Sequence, residues 1–410
     1  MRDSADIVVI GGGAAGVAAL RTLADAGRDA LLLEAQDRLG GRAHTVHIAG
    51  MPIDMGAGWL HSAPKNLWVA IAEARGFTVY RTPARWGEQW RGLGATKAEQ
   101  EALWHAFESF MEAMRTPPPG DCAADLLPPD GEWNPALDAL SGYINGAPIR
   151  EMSAIDWQAY EDASLDVNWR VEQGYGALVS SHAAWLPVVL GTPVTAIDSS
   201  GKQLRIETPR GSITANAAIV TVSSNVLASG AIRLPGHDAI LHAASQLPLG
   251  LADKLFFTLE DAGDVDDNAH LLGNPRSALT GTYTLKPFGR PLVECMLGGE
   301  GARAMEKEGL NGAADFAIGE LVHLLGSDWR RRLRFVAGSA WGRETYVLGG
   351  YSHARPGQHA ARAVLRAGMD PRIRFAGEAT SDGEFSTAHG AYNTGVAAAK
   401  ALLTCPPLLP

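Results

Sequence analysis

The chain opens on an apolar run at residues 6–10 that breaks into a glycine turn at 11–16. Helical spacing follows at 14–26, and apolar character returns at 30–33. Strand, turn, helix and strand in that order make a βαβ unit. The first apolar run is too short for an export signal and meets glycine at once. A second glycine turn occupies 38–42, residues 43–53 alternate like a hairpin, and 67–75 read as a helix. From 82 to 146 the pattern shifts to Trp-rich amphipathic helix joined by Pro-rich connections at 117–120 and 128–131. Short β-like runs return at 193–197, 204–207, 212–214 and 218–222, with Gly201 and Gly211 as hairpin turns. A second mixed region spans 241–342. The C-terminal part reads as a strand at 373–376, a glycine turn and a helix at 388–403, with no internal repeat and no low-complexity tract.

This order predicts an α/β protein with an α+β second domain: a Rossmann-like domain of the two-dinucleotide-fold type, interrupted by an interleaved substrate-binding domain. The nucleotide domain takes 1–81, 185–240 and 343–410, and the second domain takes 82–184 and 241–342. With 410 residues the chain suits two domains with a large cofactor held between them. Apolar content of 46% with 20% charged residues is that of a globular enzyme. A net charge of -10 excludes nucleic acid as the expected partner. No stretch reaches membrane-spanning length, so a soluble protein is expected. The three cysteines, Cys122, Cys295 and Cys405, have neither disulfide-framework nor metal-site spacing, which fits a reducing cytoplasm and no metal.

The 11–16 turn reads GGGAAG, a GxGxxG between a strand and a helix. Gly11 allows the tight turn, Gly13 admits a pyrophosphate to the backbone and Gly16 lets helix and strand approach. Ala14 and Ala15 open the helix whose N–H groups and dipole would meet the phosphates. Glu34 closes the next strand, with Ala35 after it, where a carboxylate would accept from the adenosine ribose. NAD enzymes share these features. Two others favour FAD: the turn at Arg38, Gly40, Gly41 and Arg42 offers further donors for a longer cofactor, and neither a second GxGxxG nor a redox CxxC is present. Electrons are then expected from a small organic substrate.

The string LEAQDRLGGR at 33–42 resembles the ExxxRxGGR turn of the flavin-containing amine oxidase family. IDMGAGWLH at 53–61 resembles the DxGAxWxHG segment of polyamine and spermine oxidases, and it adds Gly56, Ala57, Gly58 and Trp59 to the expected cofactor contacts. FAGEAT at 375–380 with STAHGA at 386–391 resembles the FAGEAT…STxHGA signature, which brings Gly377, Glu378, Thr387 and Ala388 to the cofactor. Val194, in the run 193–197, is assigned there too. GLADKLFF at 250–257 is similar to the strand whose lysine reaches flavin N5 through water, making Lys254 the principal catalytic candidate. An exposed edge-strand lysine is the alternative. WGRETYVLGGYS at 341–352, ahead of Pro356-Gly357, places Tyr351 as an aromatic wall beside the amine and Trp341 against the flavin. His61 matches a histidine at the mouth of the active site.

Departures from the family pattern matter as well. Gly350 stands where monoamine oxidases bond flavin through cysteine, implying non-covalent FAD. Thr387 stands at the second cage tyrosine, as in polyamine oxidases. Sustained heptads and a basic patch, which would suit a chromatin substrate, are lacking. The resemblance implies hydride transfer from a neutral amine (a polyamine or another primary or secondary amine) to flavin N5. The imine then hydrolyses to an aldehyde, and O2 is reduced to hydrogen peroxide. Acidic stretches at 151–172 and 260–267 are either an entrance that attracts cations or solvated loops. Two other readings stay open: an L-amino-acid oxidase, with Arg85 or Arg343 clamping a carboxylate, and a flavin-binding module without turnover. The sequence also allows a homodimer.

Overall fold

The computed structural model describes residues 2–404, so Cys405 lies outside the described residues. A seven-stranded sheet runs in the order Val188–Val189, Ala30–Leu33, Ser4–Ile10, Gly211–Val220, Leu204–Thr208, Ala196–Asp198, with Ile373–Phe375 also pairing Gly211–Val220. Its central strands are parallel, Ile7 to Ile10 lying between Ala30 to Leu33 on one side and Ala217 to Val220 on the other. Parallel strands covered on both faces read as continuous apolar runs, which is why this part is plain in the sequence.

The runs at 212–214 and 218–222 are one strand, Gly211–Val220, not two. Its first half is half-exposed and pairs antiparallel with Leu204–Thr208. Its second half is buried and pairs parallel with Ile373–Phe375. The change of partner, and of burial, breaks the pattern at Asn216. The helix Ala14–Asp25 starts directly after the glycine turn, and a Cβ on Gly16 would stand 1.9 Å from the Gly11 carbonyl oxygen. The helix Tyr175–His182 places Tyr175, Leu178 and Val179 in the same core as Val9, Leu20 and Leu32. This segment, assigned from the sequence to the 82–184 part, packs on the parallel sheet.

The second sheet has five antiparallel strands in the order Ala269–Leu272, Thr282–Leu285, Leu292–Gly298, Ala252–Leu259, Leu333–Gly338. Along Ala252–Leu259 the period of two divides the side chains. Leu255, Phe257 and Leu259 join Ala313, Ala317 and Leu321 of the helix Leu310–Leu325 in one core. Phe256, on the other face, packs with Ile53 and Trp341. A third layer, the helices Lys97–Met114, Asn134–Asn145 and Ala154–Ala163, gathers around Phe110, Leu137 and Trp157. Thr96 and Glu99 close a capping box on the first of these. Among the described residues no helix is long and apolar enough to cross a membrane. The mixed α/β fold expected from the sequence is the one found.

Candidate active site

A cavity of about 910 Å³ runs between the two sheets and under the helical layer. That is near the top of the range of roughly 300–1,000 Å³ usual for small-molecule sites. At one end its wall is Gly11, Gly13, Ala14 and Ala15, then Glu34 and Ala35, Gly40, Gly41 and Arg42, Gly56, Ala57 and Gly58, with Val194, Gly377, Glu378, Thr387 and Ala388. Toward the other end stand Trp59, His61, Lys254, Trp341 and Tyr351. Every residue expected at the site lines this space except Gly16 and Arg38. Gly16 acts behind the wall through its close packing. Arg38 donates to the Gly41 carbonyl at 2.8 Å and so braces the second turn.

The nucleotide end suits an anionic, elongated group. The helix Ala14–Asp25 begins at Gly13 with no side-chain cap, leaving its first N–H groups to a ligand. A Cβ built on Gly13 would meet nothing nearer than the Gly40 oxygen at 4.0 Å, so the glycine leaves room at the wall. Glu34 accepts from the backbone N–H of Gly12 and from that of Gln36 at 2.7 Å. Burial nevertheless keeps its carboxyl above the ordinary value. The Glu378 side chain works as a fastener: it accepts from Arg42 at 2.9 Å, from Ser352 Oγ at 2.6 Å and from the Ser386 N–H at 2.9 Å. Burial pushes this carboxyl up, but Arg42 and Arg362 outweigh it and hold it low. The Thr387 hydroxyl accepts from the Gly390 N–H at 3.0 Å and thereby caps the helix Ala388–Thr404.

At the reacting end Lys254 is 7% exposed on an interior strand, which removes the edge-lysine alternative. Its Nζ lies 2.7 Å from Glu294 Oε1 and donates to the Asp54 carbonyl at 3.2 Å. The other Glu294 oxygen accepts from Arg170 at 2.8 Å. Burial raises the Glu294 carboxyl, and Lys254 and Arg170 together overcome this and bring it to about 2. Trp341 donates from its backbone to Asp253 at 2.9 Å and from Nε1 to the Met55 carbonyl at 3.2 Å. Tyr351 donates its hydroxyl to the Tyr143 carbonyl, and burial raises its pKa far above the ordinary value. His61 shares a hydrogen bond of 2.9 Å with Asn168, and burial lowers its pKa, so the ring is neutral at neutral pH.

Several lining residues escaped the sequence reading: Tyr143, Tyr160, Trp86, Trp104 and Glu294. A lone acid in the apolar strand Leu292–Gly298 mirrors the lone lysine in Ala252–Leu259, and that symmetry was the available signal. Of the acidic stretches, 151–172 reaches the cavity through Glu161 and Asp166, whereas 260–267 does not. Arg343 instead donates to the Glu306 carbonyl and Arg85 lies 3.9 Å from Glu88; neither lines the cavity. The carboxylate clamp needed by an amino-acid oxidase is therefore missing from the described residues.

Comparison with known proteins agrees with this geometry. The profile of the family described as flavin containing amine oxidoreductase matches residues 14–118 and 85–403. The chain is 29% identical to polyamine oxidase 2 of Arabidopsis thaliana, over 97% of this chain and 88% of that protein. It is 27% identical to polyamine oxidase 4 of Oryza sativa subsp. japonica, over 96% and 87%. In fold it matches a putrescine oxidase solved with putrescine bound, with a TM-score of 0.81 at 18% identity, covering 98% of this chain and 99% of the other. A profile match across most of the chain, on a fold that brings the glycine turns and Lys254 to one cavity, decides the matter: the chain belongs to the flavin-containing amine oxidoreductases and is an amine oxidase.

Proposed function

We propose that the chain holds FAD without a covalent bond and oxidises a polyamine or another primary or secondary amine, with O2 as acceptor and hydrogen peroxide and an aldehyde as products. The composition of the substrate end carries this reading. Trp59, Trp86, Trp104, Tyr143, Tyr160 and Tyr351 line it, together with Glu88, Glu99, Glu161 and Asp166. The cations that line the cavity are Arg42 at the nucleotide end and Lys254, each paired with a carboxylate. Such a wall attracts an ammonium and repels a carboxylate.

When bound, the flavin supplies a two-electron acceptor for the hydride on the amine α-carbon and returns those electrons to oxygen. The protein's part is position, desolvation and charge. Tyr351 and Trp341 narrow the reacting end with flat apolar faces. Glu161, which accepts from Trp157 Nε1 at 3.2 Å and pairs with no cation among the described residues, suits the distal ammonium of a diamine or polyamine. Lys254, held beside Gly58, would assist the oxygen half-reaction. Among the described residues no cysteine lines the cavity, which supports dissociable FAD. Cys122 and Cys295 are both free, in keeping with a cytoplasmic location.

A peroxide-coupled screen of the FAD-loaded protein tests the reading. Turnover is expected with polyamines or aryl-alkyl amines and none with amino acids. Turnover of amino acids alone would overturn it.

A further inference from the structure

We propose that Glu294 is the positioning residue for Lys254: with Arg170 it forms a buried cation–anion–cation triad that fixes the lysine ammonium at the Gly58 turn and sets the net charge met by the bound flavin. The proposal rests on the reading of Lys254 as the residue beside the flavin's reacting edge.

The geometry divides the Glu294 carboxylate evenly. Oε1 lies 2.7 Å from Lys254 Nζ and Oε2 lies 2.8 Å from Arg170. Lys254 and Glu294 stand on neighbouring antiparallel strands, where Lys254 opposes Met296. Their side chains are thus diagonal on one face, within reach of each other. A Cβ built on Gly58 would be 3.2 Å from Lys254 Nζ and 3.9 Å from Arg170, so the two cations flank one glycine of the cavity wall. Exposure is 7% for Lys254 and 6% for both Glu294 and Arg170, so solvent screens none of them well. Arg170 is fixed from behind, its guanidinium 4.9 Å from the Trp59 ring and 4.5 Å from the Phe288 ring. Two of the three Lys254 N–H donors go to Glu294 and the Asp54 carbonyl, which leaves one for the cavity.

Without Glu294, two cations would face each other with no anion between them. A like charge disfavours protonation of the neighbour, so the lysine would shed its proton more readily. The native triad carries one net positive charge, and Asp54 and His61, the other titratable groups that feel Lys254, are common to native protein and variant. A Glu294→Gln triad carries two at low pH and one once the lysine is neutral. Native protein and variant should therefore differ at low pH and converge as pH rises.

Sulfite, an anion that adds to electron-poor flavins and bleaches their visible absorbance, reads this charge without turnover. The ratio of dissociation constants, variant to native at each pH, cancels the titration of sulfite itself. For Glu294→Gln we expect binding about tenfold tighter near pH 6, returning to the native value toward about pH 10. Lys254→Met/Glu294→Gln, compared with Lys254→Met, should show a ratio that does not change with pH. A Glu294→Gln protein that tracks the native one at every pH overturns the proposal. If Lys254→Met itself leaves both sulfite affinity and flavin reoxidation unchanged, the reading of Lys254 fails instead. Should Glu294→Gln lose its flavin, Glu294→Asp decides: it keeps the charge but withdraws the carboxylate from Lys254, so the ratio should start near the native value at low pH and rise with pH, a flat ratio again overturning the proposal.

Discussion

At its nucleotide end the cavity wall is mostly backbone: glycines of the 11–16 and 40–41 turns, Gly377, and the first turns of two helices. At its substrate end the wall is side chain: tryptophans, tyrosines and carboxylates drawn from stretches far apart in the chain. The first can bind anything with the right phosphates, since peptide N–H groups do not vary. The second can change its substrate with a single substitution. Cofactor retention and substrate choice should thus be separable by mutation, and four measurements test how cleanly.

The largest effect is expected behind the backbone wall. Gly16→Val would drive a side chain into the Gly11 carbonyl, 1.9 Å from where its Cβ must stand. The purified protein should carry no flavin, and a yellow protein of native absorbance would refute the assignment. Next comes Lys254→Met, expected to keep its flavin and to slow reoxidation about a hundredfold in stopped-flow, within the usual range for loss of a group that aids proton transfer. Equal loss of flavin and rate would merge the two ends functionally. Glu161→Gln should raise KM for a diamine about tenfold, as expected for one hydrogen bond to a charged group, with little change for a monoamine. Equal effects on both substrates would remove Glu161 from substrate recognition.

The smallest effect concerns Asp253, behind Trp341. Burial, with Glu306 adding to it, outweighs the Trp341 N–H and Ser339 hydroxyl and pushes this carboxyl up from 3.8 to about 7. The folded state then keeps a proton that the unfolded chain has already lost. The stability tied to that proton is full below pH 3.8 and is lost as pH rises through about 7. Asparagine mimics the protonated form, so the Tm of Asp253→Asn minus that of the native protein should rise across this window, by about 2 °C or more. A difference independent of pH would show that the proton is not held.

The same contrast explains what could be read from the sequence. Backbone recognition forces glycine at fixed, local spacings, so 11–16 and 40–42 were legible, as were Gly377 and the helix start at 388. Glu294 and Arg170 meet Lys254 only through contacts between segments distant in sequence, and no spacing within any one segment reports them; Glu161 lay in an acidic stretch that was visible but could not be told from a solvated loop. The five-stranded sheet was hidden too. Its turn carries Pro287 and Gly289 but also takes left-handed backbone at Lys286 and Phe288, so it does not match the two-residue hairpin turns that a sequence pattern reports. The paired halves of Gly211–Val220 were read as two strands because half of that strand is exposed.

The order of the parallel sheet also makes the cofactor cradle depend on segments far apart in sequence. Residues 4–10 pair with Gly211–Val220, far along the chain, and that strand pairs in turn with the still more distant Ile373–Phe375. The last helix packs along Ala14–Asp25, so until it is in place that helix has a bare apolar side and the phosphate cradle lacks its opposite wall. Contacts so distant in sequence make closure of the site a late step of folding. Flavin retention should therefore report that both walls have assembled, and not the glycine turn alone.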